Sequence, residues 1–164
     1  MPTNTGTETS PSTGPHEFHM EAWISCAPFE RLLNITILEA ADGEATLTMP
    51  FYIDYAQGAG LMHGGALVSL ADTAVVMAIK SLIPPHSHFA TITAEIRYLL
   101  PVKKGVLTAR ARVTEREGRI VKGRATVFDE EERAVMEFLS VFKIARDTAI
   151  KGITFKDGRG NAAT

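Results

Sequence analysis

The chain has a single cysteine, Cys26, so it can form no intrachain disulfide. That economy suits a reducing compartment and a cytoplasmic protein. It also lacks an excess of either charge: 17 Lys and Arg stand against 19 Asp and Glu, a formal net charge of −2. Such a balance gives no general attraction to nucleic acid or to an anionic membrane, so an anionic ligand must be met by a local basic patch. Long apolar runs are missing. The opening stretch MPTNTGTETSPSTGP has neither a basic start nor an apolar core, unlike a secretory signal. The most apolar run, residues 66–79, is too short to span a bilayer and carries Asp72 near its centre. There is no internal repeat. What remains is an ordinary globular composition, 45% hydrophobic and 22% charged over 164 residues, enough for one domain with a real core.

Residues 1–15, rich in Thr, Ser, Pro and Gly, read as a disordered tail, and residues 147–164 as a loose one. The domain lies between, at residues 16–146. Its first segment, residues 16–33, predicts one or two short helices interrupted at Pro28. Two β-prone runs, residues 35–40 and 45–51, flank Asp42–Gly43 and predict a hairpin. A glycine-bearing loop, residues 52–62, leads to a long helix at residues 64–83 that Pro84–Pro85 stops. Period-two alternation follows at residues 89–100, 106–113, 120–128 and 134–144. In the second of these, Leu107, Ala109, Ala111 and Val113 share one face, and Thr108, Arg110 and Arg112 the other. The pattern predicts an α+β chain: a hairpin, one helix, then four consecutive antiparallel strands. A helix of ~28 Å matches the width of five or six strands at ~4.8 Å. A curved sheet wrapped around it accounts for its apolarity nearly all round, and the sheet's open edges call for a second copy.

Asp72 is the anomaly in that helix. An unpaired carboxylate is costly to bury, so it is either paired or kept for chemistry. At the helix start stands His63–Gly64–Gly65. Helix N-termini offer unsatisfied backbone N–H groups, and two glycines there let a carbonyl reach them, as an oxyanion site requires. Gln57 lies in the preceding loop.

The spacing Gln57-x5-His63-Gly64-Gly65-x6-Asp72, followed by the strands, resembles the hotdog-fold acyl-CoA thioesterases, in the branch of the phenylacetate-pathway enzymes. The segment TITAEIRYLLP, residues 91–101, is similar to that family's strand, with a hydroxyl residue first and a proline last. The resemblance covers residues 30–146. It implies a curved antiparallel sheet of about six strands around one central helix, and hydrolysis of a thioester to a free carboxylic acid and CoA. No cofactor is implied, since CoA is part of the substrate, and no metal. It further implies that Asp72 attacks the thioester or activates water. The Gly64 N–H would polarise the carbonyl, Gln57 would orient it or the water, and Thr91 would help hold the water. His63 would be an orienting group. The site would be shared, Asp72 from one subunit of a homodimer or homotetramer and Gln57 and Gly64 from the other. A related branch has a threonine one turn after the acid; here that position is Val76.

Plainer readings stand beside these. Asp72 could be a structural acid paired with Ser69 or with a strand hydroxyl. His86 and His88, flanking Ser87 after two prolines, read as an exposed loop and not as metal ligands. Met77 and Ile79 read as core. Arg97, Lys103, Lys104, Arg119 and Arg124 are candidates for CoA phosphates, with Gly65, Ser69, Arg97 and Arg124 taken as substrate-binding. Two rival functions remain: a hotdog dehydratase or hydratase, whose proline-rich histidine motif is not seen, and a non-catalytic acyl-CoA-binding module, which would not need Asp72. Neither a helix-turn-helix pattern nor a basic arm suggests a regulator.

Overall fold

Asp42 and Gly43 both have positive φ, 50° and 81°, the two-residue turn that matches the twist of a hairpin. In the computed structural model they join β1 (Thr36–Ala41) to β2 (Glu44–Pro50), as their sequence predicts. The structure describes residues 13, 14, 16 and 18–146, and the backbone of 149–150 and 153–154. The rest of both predicted tails lies outside the described residues; Ala149–Ile150 and Ile153–Thr154 form a short antiparallel pair.

Six strands make one antiparallel sheet: the hairpin, then β3 (Phe89–Tyr98), β4 (Val106–Glu117), β5 (Ile120–Phe128) and β6 (Ala134–Ile144). Against its concave face lies α2 (Gly64–Lys80), packed mainly on β2, β4 and β5. In β4, β5 and most of β6 the alternation read from sequence is the inside–outside pattern observed; β3, read as alternating over residues 89–100, does not show it. Leu47, Ala109, Val127 and Met136 sit opposite one another across four strands, and all four are fully buried. Alanines at 45, 109, 111 and 125 leave room for the helix. Gly123 goes further: a Cβ there would collide with Val75 of α2, so only glycine permits the observed approach. Burying a side chain such as Leu47 or Phe138 contributes about 1.5–3 kcal/mol. The result is the hotdog fold, a curled sheet around one helix. Among the described residues no helix is long and apolar enough to cross a membrane.

Three details depart from the sequence reading. Pro28 does not interrupt a helix; it begins α1 (Pro28–Leu32), the first helical position being where a missing N–H costs nothing. Residues 20–27 hold no helix. The long helix ends at Lys80, three residues early, because Pro84 disfavours the helical region for its predecessor. There Ser81 Oγ turns back to Ala78 O and accepts the Gly43 N–H.

The third departure is topological. The last four strands are not a consecutive meander: the order is β1-β2-β4-β5-β6-β3, with β3 on the far side of β6. The turn read at residues 101–105 is a crossover. Leu99 N–H still donates to Val135 O after β3 ends, and Pro101 then turns the chain with no donor to offer. Residues 99–105 pass over the ends of β6 and β5, about three strand spacings or roughly 14 Å, to reach β4. Placed there, β3 is an edge strand whose residues 90–95 are exposed on both faces.

Candidate active site

The start of α2 is built by local chemistry. His63 is its N-cap, in extended backbone, and its Nδ1 accepts the Gly65 N–H at 2.9 Å. The His63 N–H in turn donates to Tyr55 O at 2.8 Å, and the Ala66 N–H to His63 O. Two early helix donors are thus satisfied internally. The Gly64 N–H is not, having no acceptor among the described residues. His63 thus caps the helix, and its hydrogen bond uses up the Gly65 donor.

Gln57 stands beside this helix start in a loop closed by its own bonds. Its N–H donates to Leu61 O and its carbonyl accepts from Gly60, while its Oε1 takes the Ala59 N–H. The side-chain amide Nε2 has no partner among the described residues. Gln57, His63, Gly64 and Gly65 line one open groove of about 550 Å³, whose other wall includes Tyr98 and Pro101.

Sequence reasoning passed over Tyr98. A Cβ on Gly64 would lie 2.8 Å from its hydroxyl oxygen, so the ring rests directly on the glycine. The only sequence signal is its place one turn of pleat before Leu99–Leu100–Pro101; the crossover that brings β3's end to the helix start was not readable.

Asp72 sits elsewhere on α2. Gly65, Val68, Ser69, Asp72, Val76 and Lys80 are the helix positions left partly open beyond its first residue, and their spacing makes them one stripe. Thr91 Oγ1 donates to Asp72 Oδ1 at 3.4 Å from β3. Burial raises the Asp72 carboxyl above its ordinary range, the Thr91 bond partly offsets this, and the negative charge of Glu30 adds to the rise. Ser69 is not its partner, since Ser69 Oγ–H donates to Gly65 O. From Gly64 to Asp72 is eight residues, a rise of about 12 Å and a turn of about 80°. Within one chain the acid and the free N–H cannot reach the same carbonyl carbon.

The structure does not bring Arg97 or Arg124 to the groove. Arg97 pairs with Glu137 at 3.2 Å on the exposed side of β3 and β6, and Arg124 faces Arg112 across β4 and β5. Lys103 and Lys104 instead follow directly on Val102, which lines the groove, and border an adjacent depression with Arg133. Among the described residues no group of three His, Cys, Asp or Glu is placed to hold a metal.

The Thioesterase superfamily matches residues 59–136, which include the helix start, Asp72 and Thr91. A proposed esterase of Halobacterium salinarum is 35% identical over 86 residues, 49% of this chain and 56% of that one. ComA2 of Bacillus subtilis, also a proposed esterase, is 31% identical over 105 residues, 63% of this chain and 82% of that one. The chain thus spans little more than half the length of some curated relatives it matches. Among solved structures, a conserved protein of Pseudomonas aeruginosa superposes with a TM-score of 0.70 at 25% identity, over 73% of this chain and 95% of that one. A mutant of the phenylacetic acid degradation protein PaaI from Thermus thermophilus gives 0.66 at 26% identity, over 71% and 98%. On its sequence, its topology and the helix that carries its acid, the chain belongs to the thioesterase superfamily.

Proposed function

We propose that this protein is an acyl-CoA thioesterase working as a homodimer or homotetramer, with each site shared between two chains. The observation that carries the reading is Asp72: a half-buried carboxylate of raised proton affinity, bonded to Thr91, on a stripe of the helix that the sheet leaves uncovered. A base whose affinity is pushed toward neutrality is suited to take a proton at physiological pH.

In this mechanism the thioester carbonyl oxygen points at the Gly64 N–H of one subunit, with the Gln57 Nε2 amide as a second donor. Negative charge developing on that oxygen is stabilised by a fixed backbone dipole that needs no reorganisation. Asp72 of the other subunit approaches the carbonyl carbon, placed by its Thr91 bond. As a base it removes a proton from water, and the hydroxide adds to the carbonyl; as a nucleophile it adds directly to give an anhydride that water then opens. In both routes the C–S bond breaks, the CoA thiolate leaves and takes up a proton, and the acid is released. A thiolate is a tolerable leaving group, so no Ser–His pair is required. Lys103 and Lys104, next to the groove wall, are the basic side chains proposed for the CoA phosphates.

Thiol release from a panel of acyl-CoAs, read with a thiol reagent, tests the activity. Subunit mixing tests the shared site: Asp72→Asn and Gln57→Ala proteins, each impaired alone, should regain activity when their chains exchange. Proven exchange with no recovery would place both groups in one chain and overturn the shared arrangement.

A further inference from the structure

Strand alternation turns Arg110 and Arg112 of β4 and Arg124 of β5 to the outer face of the sheet, while Ala109, Ala111 and Ala125 between and beside them are buried toward α2. Other cations on this face are matched with carboxylates. Arg110 makes a two-pronged bond to Glu132 at 2.7 and 2.9 Å, Lys122 bonds Glu115 at 2.9 Å, and Arg97 bonds Glu137 at 3.2 Å. Arg112 and Arg124 are not matched. They are register partners across β4 and β5, and neither guanidinium has a hydrogen bond or ion pair among the described residues. Glu44 is the register partner of Arg112 on β2, yet the two make no ion pair. Like charges directly opposite across an antiparallel pair destabilise it. Two exposed guanidiniums set side by side with no acceptor of their own are open to an anion.

The surroundings are shaped to receive one. Arg112 and Arg124 line a recess of about 330 Å³ together with Arg110, Thr46, Thr126 and Glu44. Thr46 and Thr126 are the register partners of Arg110, one rung along on the same face. A guanidinium presents a planar fork of N–H donors that matches two oxygens of a phosphate, and a hydroxyl can donate to a third. With Arg110 balanced by Glu132, two guanidiniums stand against the one carboxylate of Glu44, and the recess is net positive.

We propose that the recess between Arg112 and Arg124 is a binding site for a phosphate dianion, free or as a monoester, on the sheet face opposite α2. The site is independent of the reading of Asp72, so the presence or loss of hydrolysis has no bearing on it.

Calorimetric titration of the full chain with inorganic phosphate, at ionic strength held constant with chloride, tests the site. Glycerol 3-phosphate, titrated in parallel, separates the two sources: the tighter binder shows whether the site takes the free ion or an ester. Wild type should bind phosphate saturably, and Arg112→Gln and Arg124→Gln should each weaken it by about tenfold or more. Lys122→Gln, on the same face but engaged by Glu115, should leave the affinity unchanged. Phosphate should raise the Tm of wild type and not of the two arginine variants. In phosphate-free buffer those variants should melt above wild type, because the repulsion is relieved. No saturable binding of either ligand by wild type would overturn the proposal. Binding retained in full by both arginine variants would also overturn it, placing the anion elsewhere, as at Lys103 and Lys104.

Discussion

Thr91 and Asp72 join the edge strand to the central helix: the Thr91 hydroxyl donates to Asp72 Oδ1 at 3.4 Å. The bond is long, and it favours the ionised carboxylate against the burial that opposes it. Thr91→Val should move the acid limb of kcat/KM to higher pH and lower its plateau by about three- to tenfold, about 0.7–1.4 kcal/mol. Thr91→Ser should keep both near wild type. A pH profile of the two variants checks this; a limb that moves to lower pH in Thr91→Val would contradict it.

Asp72 also carries a cost in stability. Its folded proton affinity is raised, so folding favours the protonated form. That contribution is complete below the ordinary carboxylate range and is lost as pH rises through the raised folded value. At neutral pH the charged group weakens the fold, and Asp72→Asn should melt at higher temperature, roughly 2–4 °C for each kcal/mol relieved. The gain should shrink on going to acid. Melting curves at neutral and acid pH measure it, and a neutral-pH Tm below wild type would show the carboxylate to be structural.

A double mutant separates the donor role proposed for the Gly64 N–H from the packing of Tyr98 on this glycine. A side chain there strikes Tyr98, which is 57% exposed and free to swing out. Gly64→Val should lose about 10²–10³ in kcat, the loss typical of one oxyanion donor. Combining it with Tyr98→Ala removes the collision. If activity stays low in the folded double variant, access to the N–H is what was lost; full recovery would make the glycine a packing feature. Gln57→Ala should be milder than either, since water can replace a side-chain amide better than a fixed backbone donor.

Trp23 Nε1–H donates to Lys80 O at 3.0 Å and Lys80 Nζ donates back to Trp23 O at 2.9 Å, a clamp that should hold the N-terminal segment to the core. Trp23→Phe keeps the aromatic surface but removes the N–H bonded to Lys80 O. It should destabilise by about 1 kcal/mol, and Trp23→Ala by more as its packing goes. Chemical denaturation with an unchanged m-value is the measurement.

Much of the molecule was legible because its signals are local. Asp42–Gly43 can form only a narrow set of turns, and alternation from Leu107 to Val113 fixes which face is buried. The anomaly of Asp72 was readable from its apolar surroundings alone. What was not legible depends on distant pairing. Nothing in residues 99–105 says that β3 pairs with β6 and not with β4, since both neighbours offer the same alternation. Tyr98 is unmarked in the sequence for the same reason: it rests on Gly64 of α2, an element far away in sequence that local pattern does not identify. Arg97 and Arg124 attracted attention by charge, yet strand alternation sets them on exposed sheet positions away from the groove.

The central claim is that Asp72 performs thioester hydrolysis, and steady-state turnover of acyl-CoA substrates by the Asp72→Asn protein tests it most directly. The substitution preserves shape and removes both the nucleophile and the base. The account predicts a folded protein that still binds acyl-CoA, with kcat lower by about 10³-fold or more, about 4 kcal/mol of transition-state stabilisation. A folded Asp72→Asn protein retaining more than about a tenth of wild-type kcat, within about 1.4 kcal/mol, would contradict it.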